Sequence, residues 1–122
     1  MHELQLGAIE SRFADIIWNH EPITSPEVVR LAEQDLQWKK STTYTVLKRL
    51  CEKGLFRNDR GRVTSRISRR EFYAMQSERF VAETFDGSLP AFLSAFTARK
   101  ALTDEEITYL RHMIAEHPET EE

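Results

Sequence analysis

An arginine-rich β-hairpin follows a helix in the middle of this chain, and its position constrains what the residues before it can form. Arg57-Asn58-Asp59-Arg60-Gly61-Arg62 sets Arg60 and Arg62 around a glycine at the tip, with strands expected near Leu55–Asn58 and Arg62–Ser68. The hairpin follows a glycine stop at Gly54, which closes a helix beginning near Lys39. Leu6, Ile9, Phe13, Ile16 and Ile17 recur at helical spacing, and Trp18 extends their apolar face. This predicts a first helix from about Leu4 to Asn19. Glu21-Pro22 ends it, because the residue before a proline is pushed away from helical geometry. Ser25-Pro26-Glu27 then offers a cap, a proline at the first helical position and an acid in the first turn. Val28, Val29, Leu31 and Ala32 give that second helix its apolar side. A turn through Asp35 to Trp38 leads to the third. Three helices followed by a hairpin make a helix-turn-helix with a wing.

Charge sets the same region apart. Residues 39 to 70 hold eleven Lys/Arg against two acids, Glu52 and Asp59, a net +9 inside a chain whose formal charge is −3. So much segregated positive charge attracts a polyanion. On the third helix Thr43, Val46, Leu47, Leu50 and Cys51 share an apolar face, which leaves Thr42, Tyr44, Thr45, Lys48, Arg49 and Glu52 outward. Backbone N–H groups near Ser41 and Thr42 can meet a phosphate at the helix start. Lys39, Lys40, Lys48 and Arg49 can neutralise phosphates, which supplies affinity without sequence choice. Thr42, Tyr44 and Thr45 are candidates for base edges or thymine methyls, and Lys48 can reach a guanine. Arg60 and Arg62 suit phosphate or minor-groove contact, while Arg69 and Arg70 fall at the start of the next helix. The expected partner is double-stranded DNA. An isolated polar helix face would read as merely solvated; the basic wing beside it is what favours DNA. A winged helix that binds protein is the alternative, but it has no need of eleven bases against two acids.

The remaining residues are helical and different in character. Ser68-Arg69-Arg70-Glu71 is a capping box opening a helix with Phe72, Met75, Phe80 and Val81, which Asp86-Gly87 breaks. Ser88 can cap a short helix bearing Leu89, Phe92, Leu93 and Phe96. Thr103-Asp104-Glu105-Glu106 is a second capping box, before Ile107, Leu110, Met113 and Ile114. Five of the seven Phe lie between residues 72 and 96, in segments too short to bury them alone. One extended monomeric core is possible in principle. A homodimer interface built from Phe72, Phe80, Phe92, Leu93, Phe96, Ile107, Leu110 and Ile114 fits better, since such a patch left open would invite association. The expected fold class is mainly α with a small β wing. A winged-helix DNA-binding domain is expected over 1–70, a helical dimerisation region over 71–117 and a disordered tail over 118–122.

Bulk properties agree with this division. A chain of 122 residues holds one domain, or a small domain with a dimerising appendage. Its single cysteine, Cys51, excludes an intramolecular disulfide and a thiolate cage, and it falls on the apolar stripe as a small core residue. Glu3 and Glu10 interrupt any secretory-type apolar run and no long apolar stretch follows, so a cytoplasmic protein without membrane insertion is expected. His112 and His117 are five apart, which turns them to different sides of a helix, and His2 and His20 sit near element ends. No metal or cofactor is expected. There is no glycine-rich phosphate loop and no paired nucleophile and base, so no enzyme is expected either.

In order, the motifs resemble those of the penicillinase/methicillin-resistance repressor family of winged-helix transcriptional regulators, which includes copper-responsive repressors. Ile16-Ile17-Trp18 resembles the family's first-helix ending. Thr42-Thr43-Tyr44-Thr45-Val46-Leu47-Lys48-Arg49-Leu50, running into Lys53-Gly54, resembles its recognition helix, and Gly61-Arg62 its wing turn. Asp86-Gly87-Ser88-Leu89 and Leu102-Thr103-Asp104-Glu105-Glu106-Ile107 extend the likeness over nearly the whole chain. The resemblance implies a dimeric transcriptional repressor on a palindromic operator, silencing resistance or metal-efflux genes. In the β-lactam branch a membrane sensor with a metalloprotease domain triggers cleavage of an Asn-Phe bond in the fifth helix. The matching bond here is Ala95-Phe96, which keeps the Phe and lacks the Asn. The copper branch ends in paired Cys-x-Cys motifs, and nothing after Cys51 supplies them. Release by a small ligand or a partner protein is the alternative to proteolysis.

Overall fold

The computed structural model describes residues 6–118. In chain order these form α1 (Ala8–His20), β1 (Ile23–Thr24), α2 (Ser25–Leu36), α3 (Lys40–Glu52), β2 (Phe56–Asp59), β3 (Arg62–Ser65), α4 (Arg69–Thr84), α5 (Leu89–Arg99) and α6 (Asp104–Ala115). The fold is mainly helical with one small antiparallel sheet, as expected from the sequence. Two compact units divide between Arg79 and Phe80. The tail expected over 118–122 lies, past Pro118, outside the described residues, as does Leu4.

The first unit is the winged helix. α1 starts at Ala8, because Gly7 is extended and the Glu10 carboxylate turns back to accept its N–H at 3.3 Å. The cap of α2 is Thr24, one residue earlier than expected: its hydroxyl accepts Glu27 N–H at 3.3 Å, which makes Ser25 the first helical residue. Thr24 also completes β1, a strand absent from the sequence reading. Two β-branched residues are too few to show alternation. They pair with β3, Ile23 opposite Val63 and Thr24 opposite Arg62, and the sheet order is β1-β3-β2. Gly54 ends α3 in the left-handed region at φ 92°, and Leu55 N–H returns to Leu50 O at 3.1 Å. That turn feeds Leu55 and Phe56 into the core.

Phe13, Ile17, Val28, Leu47, Leu50, Leu55, Phe56 and Val63 are fully buried there together. Trp38 stacks against Phe13 with ring centroids 5.1 Å apart, fixing the turn ahead of α3. Phe72 requires a correction. Expected at a dimer interface, it is wholly buried in this core, 5.6 Å from Trp18, whose indole N–H donates to Ile67 O at 3.0 Å. The physical reason is position: the first turn of α4 lies against the aromatic side of α1, so its first aromatic is taken up by the chain itself.

Among its described residues the second unit has no comparable centre. Phe80, Phe85 and Phe92 meet edge to face at centroid separations of 5.9, 6.0 and 5.6 Å, and Phe96 adds to Phe92 at 6.1 Å. Yet no described residue of α5 or α6 is buried. Ser88 and Thr103 cap those helices as the sequence predicts, accepting N–H of Ala91 and Glu106, each at 3.0 Å. Local signals set the helices here, but a core is missing.

Candidate nucleic-acid interface

α3 presents its polar side cleanly. Lys39, the residue before its first turn, makes no side-chain cap, so the first N–H groups of the helix are left for an outside acceptor. Thr43 is fully buried and returns its hydroxyl to Lys39 O at 3.1 Å, which turns the neighbouring Ser41, Thr42, Thr45 and Lys48 outward. Lys39, Lys40 and Lys48 are exposed and form no ion pair among the described residues. Ser41, Thr45 and Lys48 follow one another at helical spacing, so hydroxyls and an ammonium share one ridge.

Two side chains expected on that ridge behave differently. Tyr44 is half-buried against the core, its hydroxyl 3.5 Å from Ser25 Oγ, which is long for a hydrogen bond between hydroxyls. Arg49 pairs with Glu10 of α1 at 3.1 Å, so a carboxylate within the chain already meets the charge expected to meet a phosphate. Acids in the first turn of α1 cannot be placed beside α3 from sequence spacing alone.

The wing completes the site. Asp59 pairs directly with Arg62, which leaves Arg60 and Gly61 as a two-residue turn with φ 55° and 89°. Both positive angles are those of the hairpin turn whose twist matches its strands, and Gly61 adopts them without steric cost. Asn58 Oδ1 accepts Gly61 N–H at 2.9 Å, and Gly61 O accepts Ser25 N–H at 2.8 Å. The tip is therefore bonded to the start of α2. β2 buries Phe56 alone and leaves Arg57, Asn58 and Asp59 exposed, while β3 buries Val63 next to exposed Arg62. Arg57, part of the hairpin but given no contact of its own by the sequence, is one of these exposed side chains. Arg57, Arg60 and Arg62 form no ion pair among the described residues. Arg69, in contrast, is held by Asp15 at 3.0 Å and by Asn19, with its guanidinium 5.9 Å from the centre of the Trp18 ring. It serves the fold.

Other sequence candidates are accounted for locally. Cys51 is half-buried and its thiol pKa is pushed up, mainly by burial, which disfavours the reactive thiolate. His112 lies 3.0 Å from Glu116, and His117 Nδ1 lies 2.8 Å from Pro118 O. Among the described residues no cluster of three metal-ligating side chains occurs, and no helix is long and apolar enough to cross a membrane.

Of the residues expected at a dimer interface, Phe80, Phe96 and Ile114 are exposed, while Phe92, Leu93, Ile107 and Leu110 are half-buried. Ala95 and Phe96 both stand exposed on α5. Against known proteins, the family model described as penicillinase repressor matches residues 6–116. A penicillinase repressor of Bacillus licheniformis is 28% identical over 117 residues, covering 93% of this chain and 91% of the relative.

Proposed function

The chain belongs to the penicillinase repressor family of transcriptional repressors, and from that premise we propose that it binds double-stranded DNA as a homodimer on a palindromic operator. The observation that carries this reading is the row Ser41, Thr42, Thr45 and Lys48 on α3 beside a wing tip bearing Arg60 and Arg62, with none of these bases paired among the described residues. Arg60, Arg62, Lys39, Lys40 and Lys48 supply phosphate affinity, and Thr42 and Thr45 supply base choice. Arg49 has a smaller part, since Glu10 already holds it. Phe80, Phe92, Leu93 and Phe96, with Ile107, Leu110 and Ile114, pair with a second copy, which sets two copies of α3 about 34 Å apart for successive major grooves.

Selection of bound sites from a random duplex library tests this directly. A two-fold symmetric site should emerge, and its binding should weaken steeply with salt. Thr45→Ala should cost roughly 1–3 kcal/mol on that site and little on random duplex. A library that returns no enriched site would exclude the operator reading.

For release we propose a cut in α5 at Ala95–Phe96, a bond that keeps the family's Phe and lacks its Asn, made after an antibiotic-type signal relayed by a membrane sensor metalloprotease, with a small ligand or a partner protein as the alternative. The bond lies within a helix of eleven residues, a length that depends on tertiary packing for its stability, so that local opening there would expose it. Mapping repressor fragments by mass spectrometry in induced cells checks it. An intact chain while the operator is derepressed would shift release to a small ligand or a partner protein.

A further inference from the structure

We propose that Glu21 is a positioning residue for DNA binding, acting through Ser65 to hold β3 so that Arg60 and Arg62 stand at a fixed place beside α3. The inference rests on the DNA reading above. Glu21 follows α1 in extended conformation, its own N–H satisfied by Ile17 O at 2.9 Å. Its carboxylate reaches the wing: one oxygen accepts Ser65 N–H at 2.7 Å and the other accepts the Ser65 hydroxyl at 2.9 Å. From there the chain runs alongside β3. Ile23 pairs with Val63, Thr24 with Arg62, and Ser25 N–H reaches Gly61 O at 2.8 Å. Residues 21 to 25 thus follow the strand from its far end to its tip, with Glu21 fixing the far end. β1 has only two residues, and a hairpin alone is marginal in water, so an anchor outside the ladder matters.

The charge of Glu21 gives the test its power. An acid in a basic DNA-binding unit repels the polyanion, so electrostatics alone predicts tighter binding when it is removed. Positioning predicts the opposite sign. Full-length Glu21→Ala and Glu21→Gln are compared with wild type by amide exchange at Ser65 and Ser25, and by salt titration on a mixed-sequence duplex. Glu21→Ala should exchange at least about tenfold faster at Ser65, and faster at Ser25. It should bind several-fold more weakly, with the salt slope reduced by about one contact. Glu21→Gln keeps an acceptor for Ser65 N–H and a donor for its hydroxyl, so it should retain slow exchange and bind at least as tightly as wild type. Tighter binding by both variants, or unchanged exchange in Glu21→Ala, overturns the proposal. If Glu21→Ala fails to fold, Ser65→Ala removes one of the two bonds and leaves the charge; it should lower the slope in the same direction, and an unchanged slope counts against the role. A wild-type protein without salt-dependent duplex binding would sink the DNA reading itself, and with it this role, even where exchange shows Glu21 holding β3.

Discussion

The two units are built from similar proportions of apolar residues and use them differently. Ahead of Arg79, side chains from α1, α2, α3, the sheet and the first turn of α4 close over one another until Phe13, Ile17, Val28, Leu50, Val63 and Phe72 are fully out of water. Beyond Phe80 the aromatic content is as high, yet Phe80 remains 49% exposed, Leu89 56% and Ile114 69%. The difference lies in geometry. A winged helix surrounds its core with elements crossing from several directions, and slim consecutive helices with one apolar side each have too few walls to enclose anything. Apolar side chains left open in this way call for a partner, and the symmetric solution is a second copy of the same face.

The largest effect should come from the second unit. Phe92→Asp puts a charge into the ring cluster of Phe80, Phe85 and Phe96, and should convert the proposed dimer to a monomer in light scattering. Operator affinity should fall by roughly 10²–10⁴, the loss of two modules acting together. A Phe92→Asp protein that stays dimeric would break the comparison, because the second unit would then hold together without the aromatic cluster.

Phe72→Ala should act on the other side of the divide. Removing a fully buried aromatic costs about 3–5 kcal/mol, so urea unfolding of the first unit should move by that much. Dissociation of the proposed dimer should be nearly unaffected. A shift in dimer dissociation without loss of stability would return Phe72 to the interface where the sequence reading placed it.

The smallest effect separates neighbours on α3. Lys48→Ala should weaken binding and lower the salt slope by about one, since a free ammonium is lost. Arg49→Ala should leave the slope nearly unchanged, because Glu10 already holds that charge; the cost should instead appear as a small loss of stability, about 1 kcal/mol for a pair whose Glu10 side is half-buried. Equal slopes for the two variants would show that Arg49 leaves Glu10 to meet the phosphate backbone.

Much of the first unit was legible in the sequence. The periodicity of Phe13, Ile16 and Ile17, the stop at Gly54 and the turn at Arg60-Gly61 each name an element, and each rests on residues within a few positions of one another. The caps at Ser88 and Thr103 were equally local and appear where expected. β1 was not legible, since it exists only because β3 lies beside it. Tyr44 and Arg49 were placed outward by helix spacing alone, which says nothing of Glu10 or of the core edge that Tyr44 meets.

The sequence by itself determined the order of elements, the turn chemistry and the segregation of positive charge into residues 39 to 70, because periodicity, capping and charge are local properties of the chain. Tertiary structure decided which of those charges remain free, which aromatic belongs to which unit and what holds the wing. Asp15 and Glu10 satisfy Arg69 and Arg49, Trp18 takes Phe72 into the core, and Glu21 reaches Ser65 across 44 positions of chain. Partners that distant meet only after the core has closed, and no spacing rule along the chain encodes them.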